Sequence, residues 1–105
     1  MQIRQAQDQA HQTAIEHGWW EKPRSVGEVL MLIVTELSEA MEAYRNGNPP
    51  SEKIPEYSQM EEELADVVIR LLDFAGKYDI DLEGALEAKL RYNENRPYRH
   101  GGKLA

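Results

Sequence analysis

Two apolar stretches of the chain carry paired carboxylates at helical spacing. One pair is Glu36 and Glu39, and the other is Glu63 and Asp66. Residues three positions apart share a helix face, so each pair presents two acids side by side. On a helical wheel Glu36 projects from within an apolar stripe, where an unpaired carboxylate is costly, whereas Glu42 lies further round and is expected to be solvated. Two such pairs are more specific evidence for a functional site than either alone.

Carboxylates that converge from two neighbouring helices would repel one another unless a cation lies among them. An all-oxygen ligand set, in a chain without cysteine, favours Mg²⁺ or Mn²⁺. Mg²⁺ commonly takes substrate phosphates as its remaining ligands, so the pattern predicts a phosphorylated substrate. A di-iron site would need a Glu-x-x-His pair on each of two helices, and His11, His17 and His100 do not follow a glutamate at that spacing.

The elements that would position these acids are helical. Apolar periodicity predicts four helices, over about residues 2–17, 26–45, 59–78 and 82–96, joined mostly by short connections. An irregular loop with three prolines covers roughly 47–57. We therefore expect one all-α domain spanning 1–105, resembling a four-helix bundle.

Local capping signals support these helix boundaries. Ser25 with Glu28, and Ser58 with Glu61, have the spacing of a capping box. Asp81 is the expected N-cap of the fourth helix. The third helix carries a wide apolar arc, and the second adds Met31 and Val34 opposite its main stripe. This apolar surface predicts a homo-oligomer.

Composition limits the classes of partner. The net charge of −7 disfavours binding of nucleic acid through its phosphates, but a bound divalent cation would still admit a nucleotide. The sequence shows no apolar run of membrane-spanning length and no signal-peptide core at its start, so we expect a cytoplasmic protein without membrane contact.

The spaced acids resemble the motif of the MazG-like all-α nucleoside triphosphate pyrophosphohydrolases, which is ExxE, a spacer, then ExxD. In this chain the spacer is residues 40–62. The similarity extends to "GWW" at 18–20 and "KLRYNENRPYRHGGK" at 89–103, and so covers nearly the whole sequence. Many relatives have a further glutamate directly before the motif, where this chain has Thr35. Whether Glu62 or Asp73 completes the water-activating set is left open.

The resemblance implies Mg²⁺-dependent hydrolysis of a nucleoside triphosphate between its α and β phosphates. It implies that Glu36, Glu39, Glu63 and Asp66 form the catalytic, metal-binding set, and that the protein is a dimer or tetramer with sites at or near subunit contacts. One carboxylate not fully engaged by metal would take the proton of the attacking water. A related enzyme, phosphoribosyl-ATP pyrophosphohydrolase, and a non-catalytic helical interaction module are the alternatives.

Basic residues near the chain's end are candidates for holding the triphosphate. Lys89, Asn93 and Arg96 share one face of the fourth helix, and Lys103 follows in a glycine-rich tail. For Trp20 we expect either packing or stacking on a base, since an aromatic face suits any base. Neither the preferred base and sugar nor the choice of dimer or tetramer follows from the sequence.

Overall fold

The computed structural model describes residues 2–97 and is all-helical over that range. Its helices are α1 (Ile3–Glu16), α2 (Val26–Arg45), α3 (Gln59–Lys77) and α4 (Leu82–Glu94). Apart from an isolated bridge between Pro50 and Ser58, this part of the chain has no β-structure. None of these helices is long and apolar enough to cross a membrane. The expected all-α single domain is confirmed.

The predicted starts of α2, α3 and α4 are correct because side-chain caps fix them locally, whereas α1 has no side-chain cap and starts one residue later than predicted. Ser58 Oγ accepts a hydrogen bond from the Glu61 backbone N–H at 3.1 Å, and the Glu61 carboxylate accepts from the Ser58 N–H at 2.8 Å. At α2 only half of the box forms. Ser25 accepts from the Glu28 N–H at 3.0 Å, but the Glu28 carboxylate faces Arg24 at 3.5 Å. Asp81 caps α4 as expected. The ends of α1, α3 and α4 come one or two residues earlier than predicted.

Helices α2 and α3 pack antiparallel, and this brings the two acid pairs together. Close to the loop that joins them, the Asn48 side chain accepts from the Met60 N–H at 2.9 Å. Further along, Arg70 of α3 meets Glu36 of α2 at 2.8 Å. The loop between them is ordered by its own hydrogen bonds, which include Ser51 N–H to the Tyr57 carbonyl at 2.8 Å.

Helix α1 packs on the other side of α3, also antiparallel. Gln7 donates to the Ile80 carbonyl just beyond α3, and His11, one turn later on α1, meets Asp73, about two turns before Ile80. The contact is close because Gly76 lacks a side chain: a Cβ there would lie 2.6 Å from the Cβ of His11. Helix α4 packs mainly against α1, so it does not close a four-sided core around α2 and α3.

The core of a single chain is small. Its buried apolar residues are Val29, Ala40, Ala43, Leu72 and Ala75, of which three are alanines. The radius of gyration is 16.4 Å, against about 13 Å for a compact domain of this length. Much of the apolar surface of α2 and α3 consequently remains exposed, including Leu37, Val68 and the predicted outward residues Met31 and Val34.

Candidate functional site

A groove of about 1090 Å³ runs between α1, α2 and α3 and holds most of the predicted acids. Helix α3 forms its floor because Glu62, Asp66, Ile69 and Asp73 recur on one face of that helix. Helix α2 contributes Thr35 and two acids, and α1 supplies mostly small and polar side chains. The charged side chains that line the groove are Glu36, Glu39, Lys53, Glu62, Glu63, Asp66, Arg70 and Asp73.

Three of the four motif carboxylates form a cluster. Glu36, Glu63 and Asp66 each offer an oxygen, and these oxygens all lie within 4.8 Å of one another. All three side chains are half-buried. Glu39 also lines the groove, but it is exposed and lies outside this cluster. The two helices therefore present three converging acids and a fourth at the margin.

The crowding of negative charge alters the acidity of two members of the cluster. The pKa of Glu63 is raised, first by partial burial and then by the neighbouring charges of Asp66, Glu62, Glu36 and Glu39. Burial likewise raises the pKa of Asp66, and the charges of Glu36 and Glu62 add to it. Such a cluster favours protons or a bound cation over three bare anions.

Two cations flank the cluster. Arg70 Nε donates to Glu36 Oε1 at 2.8 Å, and Lys53 Nζ lies 3.9 Å from a Glu62 oxygen. Both positive charges lower the pKa of Asp66 and so partly oppose the acids around it. Neither residue was predicted from the sequence. The sequence feature that could have identified Arg70 as a site residue is its position one turn after Asp66, where it is a lone cation within the apolar run of α3.

Glu62 joins the groove to the loop between α2 and α3. Its carboxylate accepts a hydrogen bond from the hydroxyl of Ser51. Ser51 is buried, and its hydroxyl oxygen accepts from the backbone N–H groups of Lys53 and Ile54 at 3.2 and 3.0 Å. The loop thereby holds Lys53 beside the acids, and Glu62 is already engaged in this structural role.

Asp73 lines one end of the groove and also packs against His11 and Trp20. Asp73 Oδ1 is 2.8 Å from Nδ1 of His11 and accepts from Trp20 Nε1 at 2.9 Å. The Trp20 ring packs edge-on against His11 and Tyr78. Trp20 is not among the groove-lining residues, whereas its neighbour Trp19 is. Trp20 therefore makes packing contacts in the single chain, and its stacking on a base stays a prediction.

The predicted triphosphate-binding residues Lys89 and Asn93 of α4 do not line this groove in a single chain, and neither does Arg96, which lies beyond the end of α4 and not on it as predicted. Lys89 Nζ lies 4.7 Å from the centre of the Tyr92 ring, and the Arg96 guanidinium lies 5.7 Å from it. Asn93 is exposed on the same helix. Lys103 lies outside the described residues. The cations that line the groove are therefore Lys53 and Arg70. Glu42 is exposed, as expected, and its carboxylate lies 3.9 Å from Arg45.

Comparison of the chain with models of protein families, with curated proteins and with solved structures finds no significant match.

Proposed function

We propose that this protein is a Mg²⁺-dependent nucleoside triphosphate pyrophosphohydrolase of the MazG-like kind. The observation that carries the proposal is the cluster of Glu36, Glu63 and Asp66, whose oxygens lie within 4.8 Å in an open groove. A divalent cation bound among these oxygens would offset the mutual repulsion of the three acids. The groove volume is also of the order of small-molecule sites, which is about 300–1,000 Å³.

The donor set fits a hard divalent cation. It consists of carboxylate oxygens alone, and its crowding raises the pKa values of Glu63 and Asp66, as expected where a cation would relieve repulsion. When bound, Mg²⁺ or Mn²⁺ would neutralise the polyphosphate and acidify a water molecule. Glu36, Glu63 and Asp66 would hold the cation. We assign the proton acceptor to Glu39, because it lines the groove outside the three-acid cluster.

The reaction is attack of water on the α-phosphorus, with cleavage of the bond to the bridging oxygen. Pyrophosphate leaves with that bonding pair, and a nucleoside monophosphate remains. Lys53 and Arg70 line the same groove as the acids and would contact the phosphate chain. The resemblance implies sites near subunit contacts, so we propose that Lys89, Asn93, Arg96 and Lys103 serve the groove of a neighbouring subunit.

We further propose that the protein assembles as a homo-oligomer, a dimer or tetramer. Five large apolar side chains recur on α2 at intervals of four and three residues, the spacing of a helix–helix seam. All five are 44–65% exposed in the single chain: Leu30, Val34, Leu37, Met41 and Tyr44. On α3, Leu64, Val68 and Leu71 add a second exposed apolar row. A second copy of the chain would cover these rows with helical contacts.

A panel of nucleotides tests the activity. Pyrophosphate release should require Mg²⁺ or Mn²⁺ and should occur with at least one ribo- or deoxyribonucleoside triphosphate. Phosphoribosyl-ATP belongs in the panel, since its hydrolysis would assign the related activity of histidine synthesis. Absence of release from every substrate, by a folded protein, would favour the non-catalytic helical module.

A further inference from the structure

Arg70 is a cation of α3 that pairs with one of the three clustered acids of the groove. Its side chain is 31% exposed in the groove, one turn beyond Asp66 on α3. Its Nε donates to Glu36 Oε1 at 2.8 Å, and its guanidinium carbon lies 4.4 Å from the centre of the Trp19 ring. Among residues 2–97, this is the one ion pair made by a member of the three-acid cluster.

The pair with Arg70 conflicts with cation binding by Glu36. A divalent cation on the Glu36 carboxylate would lie within a few ångströms of a guanidinium that shares that carboxylate. Like charges at such a separation repel, and the half-buried setting strengthens the effect relative to bulk water. Arg70 and the divalent cation therefore compete for the same acid.

The Trp19 ring gives Arg70 a second support that does not depend on Glu36. A guanidinium stacks well on an aromatic face. The ring is itself held in place, because Arg24 stacks 4.0 Å from its centre and donates to the Trp19 carbonyl at 3.1 Å. Arg24 has its own partner in Glu28, so it does not draw on the acid cluster.

We propose that Arg70 is a resident counter-ion of the metal site, which gives up Glu36 when the divalent cation binds and then takes a phosphate oxygen of the substrate. Glu36 turns from the guanidinium to the cation, while the Trp19 ring keeps Arg70 in the groove. The freed N–H groups can then grip phosphate oxygens two at a time. Arg70 would thus favour binding of the nucleotide after, or together with, the metal. The inference rests on the proposed function, since it needs the cation site.

The direction in which metal affinity changes when Arg70 is removed separates this role from a simple role in orienting Glu36. If Arg70 only orients Glu36 for the metal, its removal should weaken metal binding. If Arg70 competes for Glu36, its removal should tighten metal binding in the absence of nucleotide. Electron paramagnetic resonance of free Mn²⁺ measures that affinity without reference to catalysis.

The experiment compares Arg70→Gln with the wild-type chain and with two controls. Loss of a partly buried ion pair of ordinary strength corresponds to Mn²⁺ binding about fivefold tighter in Arg70→Gln. Arg45→Gln removes the same charge from an exposed position on α2 and should leave Mn²⁺ affinity unchanged within error. Arg70→Lys keeps the charge and should stay within about twofold of wild type. Circular dichroism confirms folding, and if Arg70→Gln does not fold, Arg70→Met, which also removes the charge, takes its place with the same expected result.

A second measurement tests the phosphate half of the proposal. With saturating Mn²⁺, a non-hydrolysable α,β-methylene nucleoside triphosphate should bind Arg70→Gln about tenfold more weakly or worse, because a charge-assisted hydrogen bond is lost. Arg70→Lys should lose part of that affinity, since an ammonium cannot grip two oxygens in parallel.

Each outcome tests a different part of the proposal: the competition for Glu36, the transfer to phosphate, or the metal site itself. Mn²⁺ binding that is equal or weaker in Arg70→Gln, with normal binding by wild type, would overturn the competition and leave the metal site intact. Tighter Mn²⁺ binding with unchanged analogue binding would overturn the transfer to phosphate. If the wild-type protein binds no Mn²⁺ at millimolar concentration, the proposed function fails and the inference fails with it.

Discussion

Asp66→Asn should make the metal-free protein more stable while removing its response to Mg²⁺. The Asp66 carboxylate shares a 4.8 Å cluster with Glu36 and Glu63. At that distance each pair of like charges repels by about 0.9 kcal/mol at the dielectric constant of water and about 3.5 kcal/mol at an effective constant of 20. The groove is open, so the lower value applies more closely.

Removing the Asp66 charge relieves two such repulsions and gives up the attraction of Lys53 and Arg70. A net gain of about 1 kcal/mol remains, which corresponds to a rise in melting temperature of about 4–8 °C for a domain of this size. The amide is nearly isosteric with the acid, so packing should not change. If the proposed site binds Mg²⁺ in the folded state only, Mg²⁺ should raise the melting temperature of the wild-type protein, and Asp66→Asn should lose this increase.

Thermal unfolding with EDTA and with millimolar Mg²⁺ measures both effects, at matched ionic strength. Glu42→Gln is the control: it removes the same charge from an exposed site on α2, so neither its metal-free stability nor its Mg²⁺ increment should change appreciably. If Asp66→Asn lowered the metal-free melting temperature and kept the full Mg²⁺ increment, the reasoning about charge crowding at a metal site would be refuted.

Three further outcomes follow from the structure. Because the pKa values of Glu63 and Asp66 are raised in the folded state, these acids favour folding at low pH, and that contribution is lost as pH rises through their folded-state pKa values. As the pH rises through this range, the metal-free melting temperature should fall less in the Glu63→Gln, Asp66→Asn double variant than in wild type. An equal fall in both proteins would contradict the raised pKa values of the two acids. Leu37→Arg, on the exposed apolar row of α2, should dissociate the assembly in light scattering, and a wild-type chain that already runs as a 12.1 kDa monomer would contradict the proposed oligomer. Trp20→Phe loses its N–H bond to Asp73 and should cost about 1–3 kcal/mol in chemical unfolding without changing Mn²⁺ affinity. A changed Mn²⁺ affinity would show that the contact between Trp20 and Asp73 supports the cation site.

The helices and their starts were predictable because the signals are local. Ser58 and Glu61 cap α3 through atoms three residues apart, and no distant contact is needed to find them. The convergence of Glu36 with Glu63 and Asp66 was also predictable, since it follows from two helical faces and one antiparallel packing.

Other features depend on distant contacts and gave no such signal. Helical periodicity ends at Gly18, whose φ of +81° redirects the chain, so a wheel does not tell which of Trp19 and Trp20 enters the groove. The ion pair of Arg70 requires a partner 34 positions away. The packing of α4 against α1 was not predicted. Helix α4 is only weakly amphipathic, so its sequence pattern alone does not specify which helix it packs against.

The most direct test of the central claim is pyrophosphate release by variants of the individual acids, at saturating Mg²⁺ and on the best substrate of the nucleotide panel. Glu36→Gln, Glu63→Gln and Asp66→Asn remove proposed ligands, and Glu39→Gln removes the proposed proton acceptor. Each should lower turnover by about a hundredfold or more, since every 1.4 kcal/mol of lost stabilisation is about tenfold in rate. Glu42→Gln should stay within about twofold of wild type, because its side chain is solvated. Full turnover by Glu36→Gln, or equal damage from Glu42→Gln and Glu39→Gln in folded proteins, would contradict the account.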